Sequence, residues 1–214
     1  MIKTQEMASL SSEAARRLLL AAGRALLVQL GYQVEDRSKR RRARWHLRRN
    51  GVLERADVRT TRDRWFGYTR SDDGDWPALA GVDKVVVIAT DDRHRPREIQ
   101  LYAFRAHAVR ERLDAAYAAR SDAGVKTDGG FSLWIGLDAT DSDRPTRVGC
   151  GLGDEHPPIA RRPLDDGPPQ SAAGTPMAAP QRTIAEVKAA AAREIAAIAG
   201  VPPEAVRLEV RILD

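Results

Sequence analysis

The sequence predicts an α/β (α+β) fold in which a central mixed β-sheet is flanked by helices, and three features indicate it. Residues 12–30 repeat leucines at helical spacing, with arginines on the opposite side. Asn50 and Gly51 stand between two alternating segments, which is the strongest short signal of a β-hairpin. Residues 85–89 form an unbroken apolar run rich in valine, as expected for a strand that is covered on both faces.

The first helix, predicted over residues 12–30, has local signals at both ends. Ser12 can serve as its N-cap, and Gly31 stands where a left-handed C-cap belongs. A second reversal of the chain near Asp63, after the hairpin, is expected to bring residues 65–69 back along the sheet. The other strands in the first half of the core are predicted at residues 32–35, 43–49 and 52–60.

The second half of the core combines further strands with one long helix. The helix is predicted over residues 106–120, where Val109, Leu113 and Ala116 form one apolar stripe. Strands are predicted at residues 82–90, 99–104 and 131–137. We therefore assign residues 1–153 to one α/β core domain.

The composition changes after the core. Residues 154–182 are rich in Pro, Gly, Ala and Ser, which predicts a linker. Residues 183–214 then read as a capped helix followed by one alternating strand at 206–213. A helix and a single strand bury too little surface to fold alone. This C-terminal helix-strand tail is therefore expected to dock on the core, on a second copy in a homodimer, or on a protein partner.

Two features of the composition bear on location. Cys150 is the only cysteine, so no disulfide can form within the chain and a reducing, cytoplasmic environment is expected. The sequence contains no run of 18 apolar residues, so no association with a membrane is expected.

The positive charge is concentrated at one end of the chain. Residues 1–70 carry 17 Lys or Arg against 7 Asp or Glu, whereas the remaining residues carry 18 against 23. Such polarity places positive potential on one region of a protein and favours a polyanionic partner.

The most basic segment, residues 37–49, holds a tryptophan among its arginines, a combination that suits phosphate contact with base stacking. Residues 62–68 repeat the combination, with Trp65 and Tyr68 beside two arginines. Nucleic acid, either DNA or RNA, is therefore the expected partner. The residues expected to bind it are Arg40, Arg41, Arg42, Arg44, Trp45, Arg48, Arg49, Arg62 and Arg64.

Four short segments follow one another in this part of the chain: Gly31-Tyr32-Gln33-Val34, Asp57-Val58-Arg59-Thr60-Thr61, Trp65-Phe66-Gly67-Tyr68 and Val82-Asp83-Lys84-Val85-Val86-Val87. Their order and the order of the elements around them resemble the restriction-endonuclease-like, or PD-(D/E)XK, superfamily. The resemblance spans roughly residues 12–120. The resemblance implies a nuclease-like core with Asp57 and Arg59 at the catalytic positions.

The sequence departs from that superfamily at those catalytic positions. Metal-dependent cleavage needs at least two carboxylates around a divalent cation and a lysine beside the attacking water. Arg59 stands at the lysine position and keeps its proton near neutral pH. Residues 43–53, where an upstream aspartate is expected, contain no carboxylate. We therefore expect a degenerate core that binds nucleic acid without a cofactor and without cleavage.

Two alternatives remain open at this point. The chain could be a divergent nuclease that uses Asp57 with Mg²⁺ or Mn²⁺ and a carboxylate from elsewhere in the fold. It could instead be a regulatory interaction module that binds a protein partner through its tail. Because Asp57 and Arg59 are two residues apart on one strand, they face the same side and could also form a simple ion pair.

Overall fold

A computed structural model describes residues 10–38, 43–125, 131–139 and 144–164. The helices are α1 (Ser12–Gln29), α2 (Ala106–Asp122) and the single turn α3 (Leu152–Glu155). The strands are β1 (Gln33–Asp36), β2 (Ala43–Arg49), β3 (Val52–Thr61), β4 (Trp65–Thr69), β5 (Lys84–Thr90), β6 (Glu98–Arg105), β7 (Ser132–Gly136) and β8 (Ala160–Pro163).

Six strands form a curled mixed sheet in the order β1-β2-β3-β5-β6-β8. β3 and β5 run parallel, and every other neighbouring pair in this sheet is antiparallel. The predicted mixed sheet flanked by helices is therefore confirmed. The predicted central position of residues 85–89 is confirmed too, because all five are fully buried in β5.

The hairpin between β2 and β3 forms where the sequence predicts it. Asn50 and Gly51 both adopt positive φ angles, 51° and 79°, as a two-residue type I′ turn requires. The resulting register sets Arg44 opposite Asp57 and Ala43 opposite Val58.

Helix α1 covers one face of the six-stranded sheet. Leu19, Leu26 and Leu27 are buried against a group that includes Trp45 and Ile88. The helix ends as predicted, with Gly31 at φ 83°. Its N-cap is Ser11 rather than the predicted Ser12, because the Ser11 hydroxyl accepts the backbone N–H of Ala14.

The opposite face is covered by α2 and by a separate two-stranded sheet of β4 and β7. The prediction that residues 65–69 return along the main sheet is therefore wrong. The chain reverses at Arg64, which has φ 63°; β5 pairs with one edge of β3, and β4 does not pair with the other edge. β4 instead crosses over the sheet, buries Phe66 and Tyr68, and pairs with β7.

The first residues of the predicted linker belong to the fold. Residues 154–155 complete α3, and β8 pairs with β6 at the edge of the main sheet. The sequence did not reveal β8, because an edge strand that exposes Arg161, Arg162 and Pro163 has no apolar alternation. Residues 165–182 of the predicted linker and the whole tail lie outside the described residues. Within the described part of the chain, no helix is long and apolar enough to cross a membrane.

Candidate nucleic-acid interface

Asp57 lies at the centre of a cluster of polar side chains under β4. Its side chain is 2% exposed, and it points to the face of the sheet that β4 covers. Its Oδ2 accepts hydrogen bonds from Arg59 Nε and from the Tyr68 hydroxyl, both at 2.8 Å. Its Oδ1 lies 3.3 Å from Arg44 Nε. One carboxylate is thus held between two arginines and a tyrosine.

The two arginines are themselves held in place by further contacts. The Arg59 guanidinium lies over the Tyr68 ring, with its carbon 4.1 Å from the ring centroid. Arg44 also donates a hydrogen bond of 2.5 Å to the carbonyl of Ala78. Burial alone would lower the pKa of Arg59, but Tyr68 and Asp57 outweigh burial and the pKa is raised. The Arg59 guanidinium therefore remains charged, and the cluster holds two arginines against one carboxylate.

This geometry does not resemble a site that activates water on a divalent cation. Both oxygens of Asp57 are engaged, and its charged neighbours are cations, which repel a metal ion. No group of three His, Cys, Asp or Glu side chains with metal-binding geometry occurs among the described residues. Arg59 cannot carry a proton between groups near neutral pH. The Asp57–Arg59 ion pair, which the two-residue spacing made possible, is the arrangement present.

Tyr68 gives this cluster a pH dependence that can be measured. Burial raises the pKa of its hydroxyl, and the charge of Asp57 adds to the rise. In the unfolded chain a tyrosine ionises near pH 10. The raised pKa therefore contributes stability that is complete below about pH 10 and is lost as the pH rises above it. We expect wild type to lose stability above pH 10 more steeply than Tyr68→Phe, measured by urea unfolding at each pH. Parallel curves would contradict this, since the other tyrosines titrate in both proteins.

Several side chains of the predicted basic segment turn inward. Arg44 belongs to the Asp57 cluster. Trp45 is 3% exposed and packs under α1, so the prediction that it stacks on bases is corrected. Side chains alternate along a strand, so Arg44 and Trp45 point to opposite faces of the sheet, and Trp45 points into the core under α1. Arg48 and Arg49 are exposed near the hairpin, and the Arg49 guanidinium lies 5.1 Å from the Tyr32 ring centroid. Arg40, Arg41 and Arg42 lie outside the described residues.

Arg64, which the sequence predicts to contact phosphate, also turns inward in the structure. Its guanidinium donates to both carboxylate oxygens of Asp138, to Gln100 Oε1 at 2.8 Å and to the Tyr102 hydroxyl at 3.1 Å. It also donates to the carbonyl of Thr90 at 3.2 Å. Burial lowers its pKa, yet the hydrogen bonds with Asp138 and Tyr102 prevail and the net shift is upward. Arg64 joins the two sheets.

An open cleft of about 340 Å³ lies where the start of α1 meets the end of β3. Three basic side chains line it: Arg16 from α1, Arg62 from the turn after β3, and Arg93 from the loop after β5. Trp65 of β4 and Trp134 of β7 also line this cleft, together with one carboxylate, Asp63.

A second cavity of about 220 Å³ continues this cleft toward the Asp57 cluster. Both cavities are lined by Arg16 and Thr60, and the second is also lined by Asp57 and Arg59. The space exists because β2 begins at Ala43, opposite Val58, so that among the described residues no strand pairs with that edge of β3 beyond Val58. The two cavities together are called the basic groove below.

The structure therefore assembles a different set of residues from the one the sequence predicted. Of the predicted binding residues that the structure describes, only Arg62 lines the first cavity, and both residues of the predicted catalytic pair, Asp57 and Arg59, line the second. Sequence reasoning missed Arg16, Arg93 and Trp134. One signal was present for Trp134: β4 reads Trp-Phe-Gly and β7 reads Trp-Ile-Gly, so each strand places Trp and Gly on the same face.

Comparisons of the chain with protein-family models, curated proteins and solved structures find no match.

Proposed function

We propose that the chain binds nucleic acid by its phosphate backbone, on a nuclease-like core that does not carry out metal-dependent cleavage. The observation that carries this proposal is the basic groove, to which α1, β3 and two loops contribute Arg16, Arg59, Arg62 and Arg93. Arginine is suited to such a groove because its planar guanidinium binds phosphate with two hydrogen bonds.

The charge balance of the groove favours an anion. Among the described residues, four arginines and two carboxylates line it, and because Asp57 and Arg59 form an ion pair, three positive charges are left against the one negative charge of Asp63. Asp63 accepts hydrogen bonds from the Thr61 hydroxyl and the backbone N–H of Trp65, so it is engaged with the fold. The N-terminus of α1 also borders the groove and adds the positive end of a helix dipole. The chain enters β2 at Ala43, which lines the second cavity, directly after Arg40, Arg41 and Arg42 in the sequence.

The absence of cleavage is proposed from the chemistry of the Asp57 cluster. An ion pair with Arg59 occupies the two positions that a nuclease would use to hold a metal and to assist the attacking water. The cytoplasmic location expected from the single cysteine forms part of the same proposal.

The proposal predicts an affinity that falls steeply with salt. Binding of fluorescein-labelled single-stranded DNA, duplex DNA and RNA is measured by anisotropy between about 25 and 200 mM salt, with and without Mg²⁺ or Mn²⁺. If three groove arginines contact phosphate, the slope of log affinity against log salt for a single strand is about −2. Replacing Arg93 with alanine should reduce the magnitude of this slope by about 0.7, because one phosphate contact is lost.

Arg105→Ala is the matched control for this measurement. Arg105 is exposed and pairs with Lys84 at the other end of β5 and β6, so its loss should leave the slope unchanged. Substituting Arg40, Arg41 and Arg42 together should weaken binding further. Absence of binding to all three probes at low salt would refute the proposal. Metal-dependent cleavage that disappears in Asp57→Ala would replace it with the divergent nuclease.

A further inference from the structure

The outer face of the β4–β7 sheet carries two tryptophans, each paired with a glycine. In the antiparallel register Trp65 lies opposite Gly136, and Gly67 lies opposite Trp134. Because side chains alternate along a strand, all four residues share one face. The residues that alternate with them along the two strands form the inner face and are buried in the core: Phe66, Tyr68, Leu133 and Ile135.

The glycines make room for the indole rings. A Cβ added to Gly67 would lie 2.8 Å from Cδ2 of Trp134, and one added to Gly136 would lie 3.4 Å from Cζ2 of Trp65. Each indole therefore rests against the strand opposite at the place where a side chain is missing. Such support holds a ring in one orientation, so that a ligand need not order it on binding.

The two rings differ in what their outer surfaces meet. The Arg147 guanidinium lies over Trp65, 4.9 Å from its ring centroid. Trp134 remains 51% exposed, which is high for so large an apolar side chain. Both tryptophans also border the basic groove beside Arg62. An open aromatic surface thus adjoins a row of cations.

We propose that Trp134, with the Trp65–Arg147 pair beside it, is a stacking platform for unpaired bases, and that the preferred ligand is therefore single-stranded nucleic acid. This inference rests on the proposed function, since the groove arginines are what would bind the adjoining phosphates. In a duplex the faces of each base are already stacked on its neighbours. A single strand can place a base on the indole while its backbone follows the groove.

The platform predicts that Trp134→Ala weakens binding of a 12-nucleotide oligo(dT) about 5- to 150-fold, which is the range for loss of one stacked base. Duplex binding should stay within about twofold, because a duplex reaches only the arginines. Trp134→Phe should recover most of the lost affinity, since an aromatic face returns. Leu53→Ala, which removes another exposed apolar side chain at the far hairpin, is the control and should change neither affinity.

A second variant tests the platform without deleting the indole. Gly67→Ala places a methyl group 2.7 Å from the carbonyl oxygen of Leu133 and 2.8 Å from Cδ2 of Trp134, so the ring and the β7 backbone beside it must both shift, and oligo(dT) binding should weaken. Circular dichroism of each variant confirms that it folds. Oligo(dT) should also quench tryptophan emission in wild type, and much less in Trp134→Ala.

The outcomes separate the two proposals. If oligo(dT) and duplex bind with salt dependence but Trp134→Ala leaves both affinities unchanged, the platform is refuted and the basic groove stands. If Trp134→Ala weakens both ligands equally, the preference for single strands is refuted. If neither probe binds at low salt, the proposed function itself falls. A selective loss of oligo(dT) binding, recovered by Trp134→Phe, supports the platform.

Discussion

Replacing Asp57 with alanine is expected to lower the free energy of unfolding by about 3 kcal/mol, the lower end of the range for breaking a buried ion pair. The carboxylate joins Arg44, Arg59 and Tyr68, and its removal leaves two guanidiniums and a buried hydroxyl without their acceptor. The lower end applies because the Arg44 and Arg59 side chains retain 25% and 29% exposure and so regain some hydration. Urea unfolding monitored by tryptophan fluorescence measures the change.

The same measurement distinguishes the ion-paired cluster from a metal-binding carboxylate. A carboxylate kept for a metal ion carries a charge that the protein itself does not fully neutralise, and removing that buried charge tends to leave stability unchanged or to raise it. A double-mutant cycle of Asp57→Ala with Arg59→Met isolates the pair: the double variant should be more stable than the sum of the two single losses implies. Unchanged or increased stability of Asp57→Ala would contradict a stabilising role for the ion-paired cluster.

Replacing Arg64 with alanine is expected to cost about 2–4 kcal/mol, because hydrogen bonds from a charged donor are worth about 1.5–3 kcal/mol each but are not additive. Its guanidinium joins Asp138, after β7, to Gln100 and Tyr102 on β6. Gln100 and Tyr102 are 6% and 2% exposed, so water replaces the lost donor poorly. Because Arg64 ties the two sheets together, its loss should also loosen the packing of β4.

Two further substitutions at this position separate the effect of the side-chain contacts from the effect of the backbone conformation. Arg64 has φ 63°, a conformation that glycine adopts without strain. Arg64→Gly should therefore be less destabilised than Arg64→Ala by up to about 1 kcal/mol. Arg64→Lys keeps the charge but cannot reproduce the forked contacts, so it should recover only part of the loss. Wild-type stability in Arg64→Ala together with weaker nucleic-acid binding would instead place this guanidinium at the ligand.

Some elements were predictable because their signals are local. The Asn50-Gly51 turn needs positive φ at both positions, and few dipeptides other than this one adopt them readily. Gly31 ends α1 for the same conformational reason. The apolar run at 85–89 fits only a strand buried on both faces, and β5 is one. In each case a few consecutive residues carry the whole physical constraint.

Other features depend on contacts between distant segments. The sequence predicts that residues 65–69 form a strand, but the partner of this strand, β7, comes from a distant part of the chain, and only packing over the main sheet brings the two together. Trp45 stands among arginines in the sequence, yet the pairing of β2 turns it under α1. The edge strand β8 carries no apolar alternation, so only its hydrogen bonds to β6 identify it.

The sequence by itself determined the type and bounds of most elements in the core, the basic character of the first 70 residues and the possibility that Asp57 pairs with Arg59. Only the tertiary structure decided which cations share a surface. Arg16, Arg62, Arg93 and Trp134 each lie 30 to 50 residues from the next along the chain, and in the folded protein they line one cleft beside the edge of β3 that no described strand pairs with beyond Val58. Residue propensity and hydrophobic periodicity determine secondary structure within a segment of consecutive residues. A binding surface depends instead on which strand edges and sheet faces remain uncovered after the segments pack.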